Sequence, residues 1–165
     1  MPHRLPWFIQ RTICGLLASF GLASAALAEE GQRAARVPLL PAYRQECAAC
    51  HLAYPPGLLP AASWQRLMNN LPHHFGTDAS LDPATITALS AWLAANAGSF
   101  KRVQRDPRPP PQDRISQSNW FVQKHREIDA RVWRRPAVGS AARCDACHSG
   151  AEQGQFSEHE VYMPK

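Results

Sequence analysis

Apolar residues recur at helical spacing in three stretches of the chain, and each stretch predicts an amphipathic helix. The first covers residues 63–71. The second begins after Asp82, a predicted N-cap that is followed by Pro83 at the first helical position, and it ends before Gly98. The third covers residues 119–132. The predicted apolar faces consist of Trp64, Leu67, Met68 and Leu71, of Ile86, Leu89 and Leu93, and of Phe121, His125, Ile128 and Val132.

The rest of the pattern predicts loops rather than strands. No stretch shows the alternation of apolar and polar residues that is typical of a strand. Residues 101–113 contain four prolines among several arginines, which predicts a linker with polyproline character that is hard to fit into a helix. We therefore predict a mostly α fold with extensive irregular loops and no significant sheet, in which this linker joins two small lobes, residues 29–100 and 114–165.

The N-terminal residues have the pattern of a secretory signal peptide. Arg4 and Arg11 form a positive region, residues 13–27 form an apolar run, and the run ends in a small-x-small sequence at Ala28. We predict cleavage after Ala28 and export out of the cytoplasm, so that residues 1–28 are removed. The alternative is that the segment stays as a membrane anchor.

The four cysteines after residue 28 form two motifs of one kind. Residues 47–51 read Cys-Ala-Ala-Cys-His and residues 144–148 read Cys-Asp-Ala-Cys-His, which is the attachment pattern of haem c. On one helical turn, two thiols three residues apart share a face and can bond the two haem vinyl groups, while the next imidazole ligates the iron. We predict thioethers at Cys47, Cys50, Cys144 and Cys147, with His51 and His148 as proximal ligands, and therefore two covalent haem c groups.

Three other roles for these cysteines fit less well. An exported chain with four cysteines favours two disulfides at first sight, because disulfides persist outside the cytoplasm. A dithiol oxidoreductase needs a βαβ context that the pattern lacks. A zinc site usually has its cysteine pairs about 15–20 residues apart, whereas Cys50 and Cys144 lie much further apart.

Each iron also needs a sixth ligand, or an open position that would indicate gas binding or catalysis. His125 is a strong candidate because it lies on the apolar face of the third predicted helix, for which Ser118 is the N-cap. His73 and His74 follow the first predicted helix, and the residues alone barely distinguish them. The weaker candidates are His159, which lies in a polar stretch, and Met68 and Met163.

In combination, these motifs resemble the dihaem cytochrome c family of bacterial exported proteins over nearly the whole chain after residue 28. The resemblance implies a periplasmic electron carrier with two bis-histidine haems, whose distal ligands are His74 and His125. It also implies redox protein partners, among them a small oxygen-binding c-type cytochrome. The matching residues are 46–51, 54–60, Ser63 with Trp64, 74–76, Trp120 with Phe121, 124–126, 144–148 and 151–154.

The pairing of the ligands follows from the two predicted lobes. We expect His51 to pair with His74 and His148 with His125, because each pair then stays within one lobe. The crossed arrangement is the alternative. Paired imidazole nitrogens should face one another across about 4 Å, which is two metal–nitrogen bonds.

Composition and charge narrow the function further. With 45% hydrophobic and 19% charged residues, the chain is neither a polytopic membrane protein nor a disordered tail. The net charge of +5 falls to +3 when Arg4 and Arg11 are removed, and four propionates with two ferric irons bring the total to roughly neutral. Binding to nucleic acid therefore loses its basis.

Two imidazoles on each iron leave no position for a substrate. We therefore predict an electron-transfer protein rather than an enzyme, with no small-molecule substrate and with a membrane cytochrome as a candidate electron donor. The alternative is a haem enzyme or gas sensor with one five-coordinate haem, similar to a peroxidase.

Overall fold

Short helices alternate with long loops in the computed structural model, which describes residues 37–165. The predicted signal peptide, residues 1–28, lies outside the described residues. The α-helices are α1 (Pro41–Cys47), α2 (Ala61–Met68), α3 (Pro83–Asn96), α4 (Lys101–Arg105), α5 (Asn119–Lys124) and α6 (Ala130–Trp133). Further 3-10 helices cover Pro56–Leu58, Leu71–His73, Pro111–Asp113, Ile115–Gln117, Cys144–Ala146, Ala151–Gln153 and Glu158–Glu160.

The predicted fold class is confirmed. From residue 37 onward the chain forms no β-strand, and its only bridges are isolated ones, His74 with Thr77 and His148 with Val161. No helix in this part of the chain is long and apolar enough to cross a membrane.

The main hydrophobic core lies between α2 and α3. Leu89 and Leu93 of α3 are fully buried against Trp64 and Met68 of α2, and Tyr43 of α1 joins them. The indole Nε1 of Trp64 donates a hydrogen bond of 2.8 Å to the carbonyl oxygen of Pro56, so its one polar group is satisfied inside the core. This helical pair forms the scaffold beneath the first cysteine motif.

Helix α3 begins and ends as predicted. The carboxylate of Asp82 accepts hydrogen bonds of 3.0 Å from the amides of Ala84 and Thr85, and Pro83 occupies the first helical position. Gly98 follows the end of the helix with φ 62°, which is a left-handed conformation that glycine adopts without strain. Helix α2 begins two residues before the predicted range and ends at Met68, because Asn70 leaves the helical conformation with φ −136° and ψ 35° and Pro72 has no N–H to continue the helix.

The predicted helix over residues 119–132 is wrong, because the structure divides it into α5 and α6. Ser118 caps α5 as expected, since its Oγ accepts from the amide of Phe121 at 3.3 Å. Helix α5 ends at Lys124, and the C-cap residue His125 has φ −110° and ψ 12°. The side chain of Asp129 then caps α6 by accepting from the amide of Arg131 at 2.8 Å. An aspartate inside the apolar pattern thus starts a new helix instead of continuing the old one.

The predicted linker over residues 101–113 is also partly wrong. Its first five residues form α4, in which Val103 is buried at 2% exposure. Proline begins only at Pro107, so nothing in the sequence prevents a helix before that point. The lobe boundaries that depend on this linker stay a prediction.

Three contacts join distant parts of the described chain. The hydroxyl of Tyr54 donates a hydrogen bond of 2.6 Å to the carbonyl oxygen of Ala142. Arg66 forms an ion pair with Asp113, and Lys124 forms one with Glu158. The first of these contacts connects the neighbourhoods of the two cysteine motifs.

Candidate functional site

The structure brings four histidines together as two pairs. The imidazole centroids of His51 and His74 lie 6.1 Å apart, and the ring planes are inclined by 21°. The centroids of His125 and His148 lie 6.3 Å apart, and those planes are inclined by 82°. We call Cys47, Cys50, His51 and His74 the first site, and Cys144, Cys147, His148 and His125 the second site.

The spacing of both pairs fits one metal ion between two imidazoles. Metal–nitrogen bonds of about 2.0–2.1 Å and ring bonds of about 1.33 Å place the centroids of two coaxial ligands about 6.3 Å apart. Both observed distances agree with this value. The arrangement is therefore compatible with a haem iron at each site.

The other candidate ligands lie elsewhere. His73 is exposed, and its Nδ1 forms a hydrogen bond of 3.1 Å with the side-chain oxygen of Asn70. His159 and Met163 are exposed near the C-terminus. Met68 is buried at 7% exposure in the core between α2 and α3. The structure thus separates His74 from His73, which the sequence pattern alone does not.

The two cysteine motifs have different backbone conformations. Cys47 is the last residue of α1, and Cys50 follows in a turn. In the second motif a 3-10 helix begins at Cys144. The amides of Cys147 and His148 both donate to the carbonyl oxygen of Cys144, at 3.2 and 2.8 Å. The predicted single helical turn therefore describes the second motif better than the first.

The half-buried thiols of Cys47 and Cys144 both have a raised pKa. Burial, assisted by the charge of Glu46, raises the pKa of Cys47 to about 11. Burial, assisted by the charge of Asp145, raises the pKa of Cys144 to about 11 as well. The thiolate is the reactive form of cysteine, so these side chains do not have the lowered pKa of a redox dithiol.

Hydrogen bonds fix the tautomer of one imidazole in each pair. The Nδ1 of His51 lies 2.7 Å from the carbonyl oxygen of Leu52, and the Nδ1 of His125 lies 2.9 Å from that of Phe121. Because a carbonyl oxygen can only accept, each Nδ1 must carry the hydrogen. The Nε2 lone pair is then free to bind a metal, as in other histidine ligands.

The partner imidazoles are kept neutral by their surroundings. Burial lowers the pKa of His74, and the nearby His51 and Arg114 lower it further. Burial likewise lowers the pKa of His148, with smaller effects of His125 and Arg102. A histidine must be unprotonated to bind a metal, so these shifts favour the ligating form.

Aromatic rings surround the second pair more closely than the first. Phe121 stacks on His125 with centroids 3.9 Å apart, and Trp133 and Phe156 lie within 6 Å of one of the two imidazoles. At the first pair, Tyr54 stacks on His51 at 5.0 Å and the ring of Phe75 lies 4.8 Å from that of His74. The sequence pattern alone does not identify Tyr54 or Phe156 as site residues, although Tyr54 follows His51 by only three positions.

Each of the two histidine pairs lies beside a Cys-x-x-Cys-His motif, and the fold over residues 37–165 is helical without strands. These features together define the class of c-type cytochromes with two haems. The family described as dihaem cytochrome c matches residues 43–156. The chain belongs to the dihaem cytochrome c family. The predicted resemblance is thereby confirmed, and the family implies two haem c groups and an electron-transfer cytochrome.

Solved structures support the same assignment. The chain is 44% identical to DHC purified from Rhodobacter sphaeroides, with a TM-score of 0.61, covering 73% of this chain and 99% of that one. It is 37% identical to the dihaem cytochrome type c of Shewanella baltica, with a TM-score of 0.66, covering 78% and 95%. A second structure of the dihaem cytochrome c from Rhodobacter sphaeroides is 43% identical, with a TM-score of 0.61, covering 73% and 98%. No curated protein matches the chain.

Proposed function

We propose that this chain is a periplasmic electron carrier in which two covalently attached haem c groups are both low-spin and held between two histidines. The observation that carries the proposal is the spacing of the two imidazole pairs, 6.1 and 6.3 Å between centroids. Export depends on the predicted cleavage after Ala28.

Each site divides its residues between attachment and ligation. Cys47 and Cys50 would hold the first haem through thioethers, and His51 and His74 would be the two protein ligands of its iron. Cys144 and Cys147 hold the second, with His148 as the proximal and His125 as the distal ligand. When bound, each haem supplies an iron that exchanges one electron.

The protein residues determine what such a centre can do. Two imidazoles leave no coordination position for a substrate, so the sites exchange electrons without making or breaking bonds. A second histidine also gives a lower reduction potential than a methionine, so both sites should be reducing. At the second site Phe121, Trp133 and Phe156 pack around the two imidazoles, and such apolar surroundings contribute to the reduction potential of a bound haem.

The partners of such a carrier are other redox proteins. The family resemblance supports a small high-spin c-type cytochrome as electron acceptor, and the periplasmic location fits a membrane cytochrome as donor. Neither nucleic acid nor a small-molecule substrate is part of the proposal. Rapid mixing of the reduced protein with the oxidised small cytochrome tests the acceptor, because the expected result is stoichiometric electron transfer.

The ligation is tested on the exported holo-protein by mass spectrometry, pyridine haemochrome quantitation and EPR. We expect two haems per chain and two low-spin ferric signals. Near-parallel imidazole planes give a rhombic signal and near-perpendicular planes a highly anisotropic one, so the 21° and 82° pairs should give one of each. A high-spin ferric signal would favour an enzyme or gas sensor, and a chain without added haem mass would end the proposal.

A further inference from the structure

The loop Pro110–Arg114, which we call the brace loop, has an unusual backbone. Apart from glycines, the described residues with a left-handed backbone are Phe75, Gln112 and Asp113, with φ values of 51°, 53° and 56°. Two of them are consecutive in the brace loop, and the third follows His74 directly. L-residues with side chains disfavour this conformation, and it persists where surrounding contacts hold it.

An ion pair to α2 holds the brace loop in place. Arg66 donates two hydrogen bonds to the carboxylate of Asp113, from Nε at 2.9 Å and from Nη2 at 2.5 Å. The Asp113 side chain is only 13% exposed. Burial raises the pKa of Asp113, but the hydrogen bonds of Arg66, the nearby hydroxyl of Ser63 and the charge of Arg66 together lower it below its usual range. Paired charged hydrogen bonds of this geometry are strong and directional.

The next residue of the loop reaches the distal histidine through an aromatic ring. The guanidinium of Arg114 lies 4.2 Å from the ring centroid of Phe75, and its Nε donates to Oε1 of Gln112 at 3.2 Å. The ring of Phe75 in turn lies 4.8 Å from that of His74. His74, Phe75, Asp113 and Arg66 also line one common cavity. The contacts therefore run without a break from α2 through the brace loop to His74.

His74 has little else to orient its ring. Its Nδ1 is buried and has no hydrogen-bond partner among the described residues. By contrast, the Nδ1 of His125 is bonded to the carbonyl of Phe121, and its ring stacks on the side chain of the same residue. The orientation of His74 must come from the residues packed around it.

We propose that Arg66, Asp113 and Arg114 are positioning residues that hold His74 over the first haem, and that breaking this brace lets His74 leave the iron. The inference rests on the proposed bis-histidine ligation. If the brace breaks, the reduced first haem gains an open position that carbon monoxide can take, while the second site is unaffected.

The test uses the full exported holo-protein and the variant Asp113→Asn, which keeps the shape of the side chain and removes its charge. We expect the affinity of the reduced protein for carbon monoxide to rise by roughly tenfold to a hundredfold, the factor associated with one charge-assisted hydrogen bond. In the ferric protein the rhombic EPR signal of the near-parallel pair should decrease, and the anisotropic signal should remain.

Asp106→Asn is the matched control. Asp106 also forms a two-point ion pair, with Arg108 at 2.7 and 3.0 Å, and it accepts a hydrogen bond of 2.9 Å from Asn119 of α5, so its contacts lead to α5 and not to His74. We expect no gain of carbon monoxide binding in this variant. Equal gains in Asp106→Asn and Asp113→Asn would overturn the brace, because they would indicate general loosening.

Substitutions of Arg114 keep the inference testable if Asp113→Asn does not fold. Arg114→Gln should reproduce the gain of carbon monoxide binding, and Arg114→Lys should reverse part of it by restoring the charge above Phe75. If carbon monoxide binding and the rhombic signal are both unchanged in Asp113→Asn and Arg114→Gln, the proposed brace is refuted. The proposed bis-histidine ligation is not affected by that result. If the unmodified protein lacks two low-spin signals, the proposed ligation fails before any variant is measured.

Discussion

The two candidate haem sites are supported by different kinds of structure. The first lies beside α2 and α3, whose facing residues form the main hydrophobic core. The second lies among short helices, and the part of the chain from residue 114 onward contributes only Phe121, Val132, Val138 and Ala151 to the buried apolar residues. A small region with so few buried apolar side chains is marginal without further support. The comparison indicates that the second region depends on its cofactor for folding more than the first does.

The distal histidines differ in the same way. His125 is fixed locally, by the end of α5 and by Phe121 one turn earlier. The backbone of His74 is bonded locally to Leu71 and Thr77, but in our proposal its ring is held by the brace loop, which is distant in sequence. One distal histidine is thus held by neighbours in sequence and the other by distant residues. We therefore expect the two sites to respond differently to the same kind of substitution.

Removing one haem at a time should have the largest effect. In Cys144→Ser/Cys147→Ser we expect residues 114–165 to lose their protection against hydrogen exchange, while α3 stays protected by Leu89 and Leu93. In Cys47→Ser/Cys50→Ser we expect α3 to retain measurable protection, because its core is made of side chains. Equal loss of protection in both variants would remove the difference between the two regions.

Replacing each distal histidine should have the next largest effect. His74→Gly and His125→Gly should each convert one haem to a high-spin ferric form. Added imidazole should restore the low-spin spectrum more readily in His74→Gly, because a cavity borders that side chain. In His125→Gly the Phe121 carbonyl also loses a partner, so the variant should be less stable. Absorption titrations with imidazole measure this difference, and equal rescue would contradict it.

Removing the two helix caps should have the smallest effect. Ser118→Ala should lower the free energy of unfolding by about 1 kcal/mol and loosen His125 at the other end of α5, which chemical denaturation and the anisotropic EPR signal would report. Asp82→Ala should destabilise α3 and leave both haem spectra unchanged, because α3 carries no candidate ligand. A spectral change in Asp82→Ala would show that the core and the first site are more closely coupled than the contacts indicate.

Much of this protein could be predicted from local sequence signals. The two motifs ending in His51 and His148, the cap at Asp82 and the absence of strand patterns each depend on residues close together in the chain. His125 is recognisable because it shares an apolar face with Phe121. Choosing His74 over its neighbour required the family resemblance, because both imidazoles follow the same helix.

What the sequence did not reveal depends on contacts between distant residues or on competing local ones. The division of the third helix follows from a choice between continuing an apolar face and capping at Asp129, which periodicity alone does not decide. No glycine in the sequence indicates the left-handed backbone at Gln112 and Asp113. Arg66, which bonds to Asp113, belongs to a helix that is distant in sequence. Such features can be identified only once the fold places these residues together.

The contact of Tyr54 with Ala142 has a consequence for the electron itself. One side chain stacks on His51 and hydrogen-bonds the backbone two residues before Cys144. Any change in the spacing of the two metal positions would have to pull this tyrosine away from one of its two attachments. This tyrosine therefore helps to hold the distance between the two proposed iron positions, and we expect that distance to stay the same when a redox partner docks.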